Sequence, residues 1–131
     1  YTVRNTLSLH DALPIYDTNS SLISPTITLP EIASGQELSL RFWHWFSIAT
    51  GYQNDTGYVQ IQTETSPGVW SGWTNLAGYT GNCGGVWTHP SVDLTSYAGQ
   101  RVRLGFALVQ SSYSTVGAGW YIDDISIMTI Y

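Results

Sequence analysis

The stretch Gly117-Ala118-Gly119-Trp120-Tyr121-Ile122-Asp123-Asp124-Ile125-Ser126-Ile127 changes its own alternation partway along. Trp120 and Ile122 fall on one side of an extended strand, whereas Ile125 and Ile127 have the opposite parity. A strand that buries one face cannot change parity unless a residue is inserted, because a slip of one residue turns every side chain to the other face. The spacing therefore predicts a β-bulge at Asp123-Asp124, and bulges re-aim side chains and recur beside sites. Two adjacent carboxylates in an apolar strand are costly unless hydrogen-bonded or bound to a cation. The chain must then be a sheet protein with one buried face and an acidic irregularity near its end.

Composition narrows the class. The chain has 131 residues, enough for one domain with its own core. Only 10% of residues are charged, lysine is absent, and Phe, Trp and Tyr make up 14%. Aromatic and β-branched residues between Gly- and Ser-rich turns suit many short strands. The formal net charge of −5 argues against nucleic acid and anionic membrane surfaces, both of which need clustered cations. No apolar run approaches the roughly 18 residues of a spanning helix, so membrane insertion by a helix is not expected. Cys83 is the one cysteine. It is either a spectator thiol in its Gly-rich loop or the partner of a cysteine on another segment. Two sequons, at Asn19 and Asn54, are of a kind that also arises by chance.

Thr6-Leu7-Ser8-Leu9-His10-Asp11-Ala12-Leu13-Pro14-Ile15 resembles the in-frame translation of a short-read sequencing adapter rather than any protein segment. Residues 1–15 are accordingly expected to be non-native, of metagenomic or draft-assembly origin, with residues 16–131 forming a single domain. The competing reading is a native N-terminal strand packed through Leu7, Leu9 and Leu13.

Within 16–131 the period of two recurs. Ser24–Pro30 reads as an edge strand bounded by prolines. Glu37–Phe46 places Leu38, Leu40, Phe42, His44 and Phe46 on one face and Arg41, Trp43 and Trp45 on the other. Both faces end apolar, so a central strand covered on both sides is expected there. Tyr58–Thr65 turns at Ser66-Pro67-Gly68 into a return strand over Val69–Leu76. Val86–Leu94 is a further strand candidate, followed by a helical turn at Thr95–Gln100. Arg101–Val109 points Val102, Leu104, Phe106 and Leu108 inward. Strands at this spacing, without helical periodicity, predict an all-β sandwich of two antiparallel sheets.

Four segments carry a family resemblance. Ser21-Leu22-Ile23-Ser24-Pro25, Phe42-Trp43-His44-Trp45, Val92–Gln100 and Gly119–Ile125 occur in an order that resembles the bacterial MAM-like jelly-roll domain. That domain is an accessory module of immune-inhibitor-A-type secreted metallopeptidases and other surface proteins. The likeness covers roughly residues 20–127. It implies a jelly-roll β-sandwich, non-catalytic and calcium-tolerant or calcium-stabilised, in a secreted or cell-surface protein. The family domain carries a further N-terminal strand before the Ser-Pro segment, so the resemblance implies that this strand is missing here. The partners it implies are other domains of a parent chain, and a surface glycan or protein.

The candidate sites follow from residue chemistry. Asp123 and Asp124 are the expected calcium ligands, since calcium takes six to eight oxygens from carboxylates and freed carbonyls. Asp55 or Glu64 would complete the shell from other strands. The competing reading is one aspartate bonded to backbone N–H groups and the other solvated. Trp43, Trp45, Trp70 and Trp73 form a candidate sugar platform, with Gln60, Gln62 and Asn75 available for hydroxyls, set against ordinary aromatic packing. This makes a carbohydrate-binding module the alternative to a purely accessory or adhesion role. His44, between two tryptophans, is expected to be a satisfied core residue. No His-Glu-x-x-His, Gly-x-Ser-x-Gly or phosphate-loop pattern is present, and no catalytic residue is assigned.

Overall fold

Period-two patterning becomes the inner faces of two facing sheets. The computed structural model of the chain describes residues 2–3, 7–9, 19–48, 55–109 and 117–131. In chain order the strands are β1 (Thr2–Val3), β2 (Leu7–Leu9), β3 (Asn19–Ile23), β4 (Ile27–Thr28), β5 (Glu37–Ser47), β6 (Thr56–Ser66), β7 (Val69–Trp70), β8 (Thr74–Tyr79), β9 (Ser91–Asp93), β10 (Arg101–Val109) and β11 (Gly119–Ile130). A 3-10 turn at Thr95–Tyr97 leads into β10. Sheet one runs β1, β11, β5, β9, with β2 also on β11. Sheet two runs β3, β10, β6, β7, with β4 on β10 and β8 on β6. All pairings are antiparallel, and the result is a jelly-roll β-sandwich.

The core holds Leu38, Leu40, Phe42 and Phe46 from β5, Val59 and Ile61 from β6, Val102, Leu104, Phe106 and Leu108 from β10, and Trp120, Ile122 and Ile125 from β11. Burial of each large aliphatic or aromatic side chain contributes about 1.5–3 kcal/mol. The aromatics interlock edge to face: Phe42 and Phe106 lie 5.3 Å apart, and Phe106 and Trp120 lie 5.7 Å apart. His44 is buried here as expected. The Trp120 Nε1–H donates to its Nδ1 at 3.2 Å, so the imidazole is the neutral Nε2–H tautomer. Burial pushes its pKa down to about 4.

The parity break is a bulge. Asp123 pairs with Trp43 and Ser126 with Arg41, so three steps on β11 face two on β5. Asp124 has φ 49, a left-handed conformation that aspartate tolerates better than most residues. Its N–H donates to Asp123 Oδ1 at 2.8 Å.

Several boundaries differ from the sequence expectation. Of the strand expected over Ser24–Pro30 only β4 forms; a separate strand, β3, ends just before it, Pro25 lacks a donor, and Ser24 bridges the gap through N–H···O=C to Leu104 at 2.8 Å. The return strand over Val69–Leu76 breaks at 71–73, where Ser71 Oγ accepts from Thr63 N–H and Ser71 N–H donates to Thr63 C=O. Val86–Leu94 keeps only β9 and one bridge, Thr88 to His44. The end of β5 is central, between β11 and the 82–93 segment, but among the described residues no further layer covers its outer side, and Trp43 is 40% exposed. Within residues 1–15, β1 and β2 pair with the outer edge of β11, Leu9 opposite Trp120 and Val3 opposite Ile125. Asn54 lies outside the described residues.

Candidate binding surface

The outward positions of the sandwich form two unlike faces, and the four candidate tryptophans divide between them. On sheet two the outer side carries Tyr58, Gln60, Gln62 and Glu64 from β6, and Arg101, Arg103, Gly105, Ala107 and Val109 from β10. Their register is fixed by the pairs Gln60–Gly105 and Gln62–Arg103. Asn75 of β8 stands opposite Gln60, and Ser21 and Ile23 of β3 stand opposite Ala107 and Gly105.

Trp73 occupies the break between β7 and β8 and packs its six-membered ring against Gly105. A Cβ built on Gly105 would sit 3.1 Å from Trp73 Cζ3 and 3.4 Å from Cη2. Glycine in a strand interior weakens the strand and commonly marks such a close approach. Trp73 is 37% exposed and lines an open groove of about 240 Å³. Gly105 and Ala107 make the floor, and Ile23, Val109, Ser20, Ser21 and Gln60 complete the lining. Gln60 Nε2 donates to Asn75 Oδ1 at 2.7 Å, and Gln62 Nε2 donates to the Ser71 carbonyl at 2.9 Å, which fixes the turn carrying Trp73. Trp70 is capped by the Arg103 guanidinium, 3.9 Å from its ring centroid. Arg101 Nε meets Glu64 Oε2 at 3.4 Å.

Trp43 and Trp45 belong to the outer side of sheet one. Trp43 stacks on His89 with centroids 4.4 Å apart and planes 4° from parallel. Trp45 leans on Tyr121 at 5.7 Å. Arg41 Nη2 donates to His89 Nδ1 at 2.9 Å. His89 titrates below its ordinary range, first through desolvation, then through the Arg41 charge, with Asp124 acting in the opposite sense. The two pairs of tryptophans therefore point away from each other across the sandwich and do not form a single platform. Trp87, 41% exposed, precedes the bridge at Thr88.

The four acids are not gathered either. Asp123 and Asp124 sit together at the bulge on sheet one, while Asp55 immediately precedes β6 of sheet two and Glu64 lies near its far end. Nine residues of extended chain separate Asp55 from Glu64, roughly 30 Å. Asp55 is buried on the inner side and Glu64 faces Arg101 on the outer side. Among the described residues no group of three or more His, Cys, Asp or Glu is close enough to hold one metal ion. Beside the bulge, the Arg41 guanidinium supplies a fixed positive charge that competes with a cation.

Sequence reasoning missed Gly105, Ser20, Ser21 and Arg103. An outward glycine in the otherwise regular β10 was the available signal for the groove. Cys83 is free among the described residues, and Phe46 N–H donates to its Sγ at 3.4 Å.

No protein-family model matches the chain. Bacillopeptidase F of Bacillus subtilis (strain 168) is 34% identical over 107 residues, which is 82% of this chain and 7% of that protein. The chain thus spans a small fraction of the length of this curated relative. The K3 cleaved adhesin domain of Lys-gingipain from Porphyromonas gingivalis W83 superposes with a TM-score of 0.56 at 15% identity, covering 94% of this chain and 71% of that one. A chain of the infectious bursal disease virus Gt strain superposes at 0.53 and 15% identity, covering all of this chain and 32% of that one. At such identities the structural likenesses establish the sandwich fold alone.

Proposed function

We infer that this domain is a non-catalytic attachment module of a secreted or cell-surface bacterial protein, that it belongs with the MAM-like jelly rolls its motifs resemble, and that its parent is a peptidase. The observation that carries the binding role is Trp73, a large aromatic placed outside the core on a glycine floor beside an open groove. Core packing does not call for an aromatic there, whereas exposed aromatics with apolar bodies are common anchors of ligands. The likeness to a domain-sized slice of a protein named as a peptidase supports the accessory role. The resemblance to modules of secreted peptidases supports the location.

The test is retention of the purified 131-residue chain on insoluble bacterial cell wall and on extracellular-matrix protein, with albumin-coated beads as the reference. Selective retention supports attachment; equal retention on all three removes it. Calcium at the Asp123–Asp124 bulge would act in this reading as a stabiliser of β11, favoured by the paired carboxylates and opposed by Arg41. A ligand that binds only the folded chain must raise its melting temperature, so identical melting in calcium and in EDTA would dismiss it.

A further inference from the structure

We propose that the groove on the outer side of sheet two is a subsite for one ring of a neutral polysaccharide, with Trp73 as the stacking platform and the Gln60–Asn75 amide pair reading hydroxyls. The proposal rests on the attachment reading and names the ligand class for the same surface.

Three observations converge on that class. The groove lining, Ser20, Ser21, Ile23, Gln60, Trp73, Gly105, Ala107 and Val109, contains no ionisable side chain. Among the described residues, the charged side chains of β10 on this face are engaged with other groups, Arg103 over Trp70 and Arg101 with Glu64. A charged ligand would lose hydration there without meeting a counter-charge, and the net charge of −5 further disfavours polyanions. Second, about 240 Å³ lies below the roughly 300–1,000 Å³ of pockets that enclose drug-sized molecules. That is room for a single sugar ring in an open trough.

Third, the polar groups suit hydroxyls. An amide side chain has two donors and an acceptor with two lone pairs, so the single bond between Gln60 and Asn75 leaves both donor and acceptor capacity on the pair. A sugar hydroxyl both donates and accepts. Ser21, opposite the outward Ala107, adds a hydroxyl on the opposite rim. Trp73 gives the apolar C–H face of a pyranose its wall, and the missing side chain at Gly105 keeps the trough deep beside it. A polymer continuing along β10 would next meet the Arg103–Trp70 pair, two residues or roughly 7 Å farther on.

The experiment is affinity electrophoresis of the 131-residue chain through gels containing glucomannan, mixed-linkage β-glucan or polygalacturonate, with tryptophan fluorescence recorded for each polymer in solution. The expected result is retardation by a neutral polymer, none by polygalacturonate, and at least about tenfold weaker binding in Trp73→Ala, a loss of about 1.4 kcal/mol. Ala107→Arg, which fills the trough and leaves the platform in place, should abolish retardation as well. Unchanged melting of both variants shows that they fold. Binding that survives both substitutions, binding lost in Trp43→Ala but kept in Trp73→Ala, or a preference for polygalacturonate would each overturn the proposal. So would retention of the chain on cell wall or matrix with no response to either neutral polymer, an outcome that leaves the attachment reading standing. Absence of retention on any surface removes both.

Discussion

Two glycine–tryptophan contacts, one on each side of sheet two, use the same geometry to different ends. Inside, a Cβ on Gly57 would lie 2.8 Å from Trp120 Cε3 and 3.2 Å from the Ile48 side chain. Outside, a Cβ on Gly105 would lie 3.1 Å from Trp73. Trp120 is wholly buried and held by Phe106, Tyr79 and the His44 imidazole, so it has nowhere to go. Trp73 is 37% exposed and sits in an irregular turn, so it can lift away. The inner contact therefore specifies the fold, and the outer one specifies the shape of a surface. If that distinction is right, stability and ligand affinity separate cleanly between the two sites.

The largest effect should come from Trp120→Ala, which removes the central aromatic of the core and leaves the buried His44 Nδ1 without its donor. Such truncations cost about 3–5 kcal/mol, read as a large drop in the urea midpoint. A loss of similar size in Trp73→Ala would erase the difference between the two faces.

Acid should weaken the inner site next. His44 titrates at about 4 in the folded chain against 6.5 for the free imidazole, so the unfolded chain takes up the proton first as pH falls. Its contribution is complete above about pH 6.5 and is lost as pH falls through about 4. The difference corresponds to about 3 kcal/mol. Urea unfolding measured at neutral pH and at steps down to pH 4 should show this decline, and His44→Phe should flatten it over that window. A decline of equal size in the variant would assign the acid sensitivity to the carboxylates.

Gly57→Ala should follow. A methyl at 2.8 Å from a ring locked in the core forces displacement of Trp120, and overpacking of this kind costs about 1–3 kcal/mol. A wild-type melting temperature in this variant would show that the core can yield, and the inner contact would lose its special status.

How much of this was legible in the chain depends on which face a residue serves. The inner faces of β5 and β10 follow from alternation, because a buried face must be apolar at every second residue. The bulge at Asp123-Asp124 follows from the same rule, since Ile122 and Ile125 both had to be buried. The outer faces obey no such constraint. Alternation could not show whether Trp43 and Trp45 were covered, and the structure leaves Trp43 open beside His89. Trp70 and Trp73 read as one strand, but Ser71 bonds back to Thr63 and breaks it, which swings Trp73 over β10. Nor could a linear reading gather acids: Asp55 and Glu64 differ by nine positions, an odd number that puts them on opposite sides of one extended strand. The groove joins residues from β3, β6, β10 and the turn before β8, a convergence that depends on strand order and is invisible to spacing.

The smallest expected effect on stability is the one that probes the comparison most closely. Gly105 has no positive φ, so alanine meets no backbone strain there and the only obstacle is the Trp73 ring. That ring can move by the few tenths of an ångström a methyl requires. Gly105→Ala should therefore leave the urea midpoint within about 0.5 kcal/mol of the parent, as for substitutions away from the core. It should nevertheless raise the floor of the groove and tilt its wall, weakening retardation by a neutral polysaccharide several-fold, less than Trp73→Ala does. Stability lost together with binding would mean that Trp73 is held down as part of the packing, and Gly105 would then belong in the same class as Gly57. Stability kept and binding lost would place the two glycines apart, one needed by the core and the other by what the outer face holds.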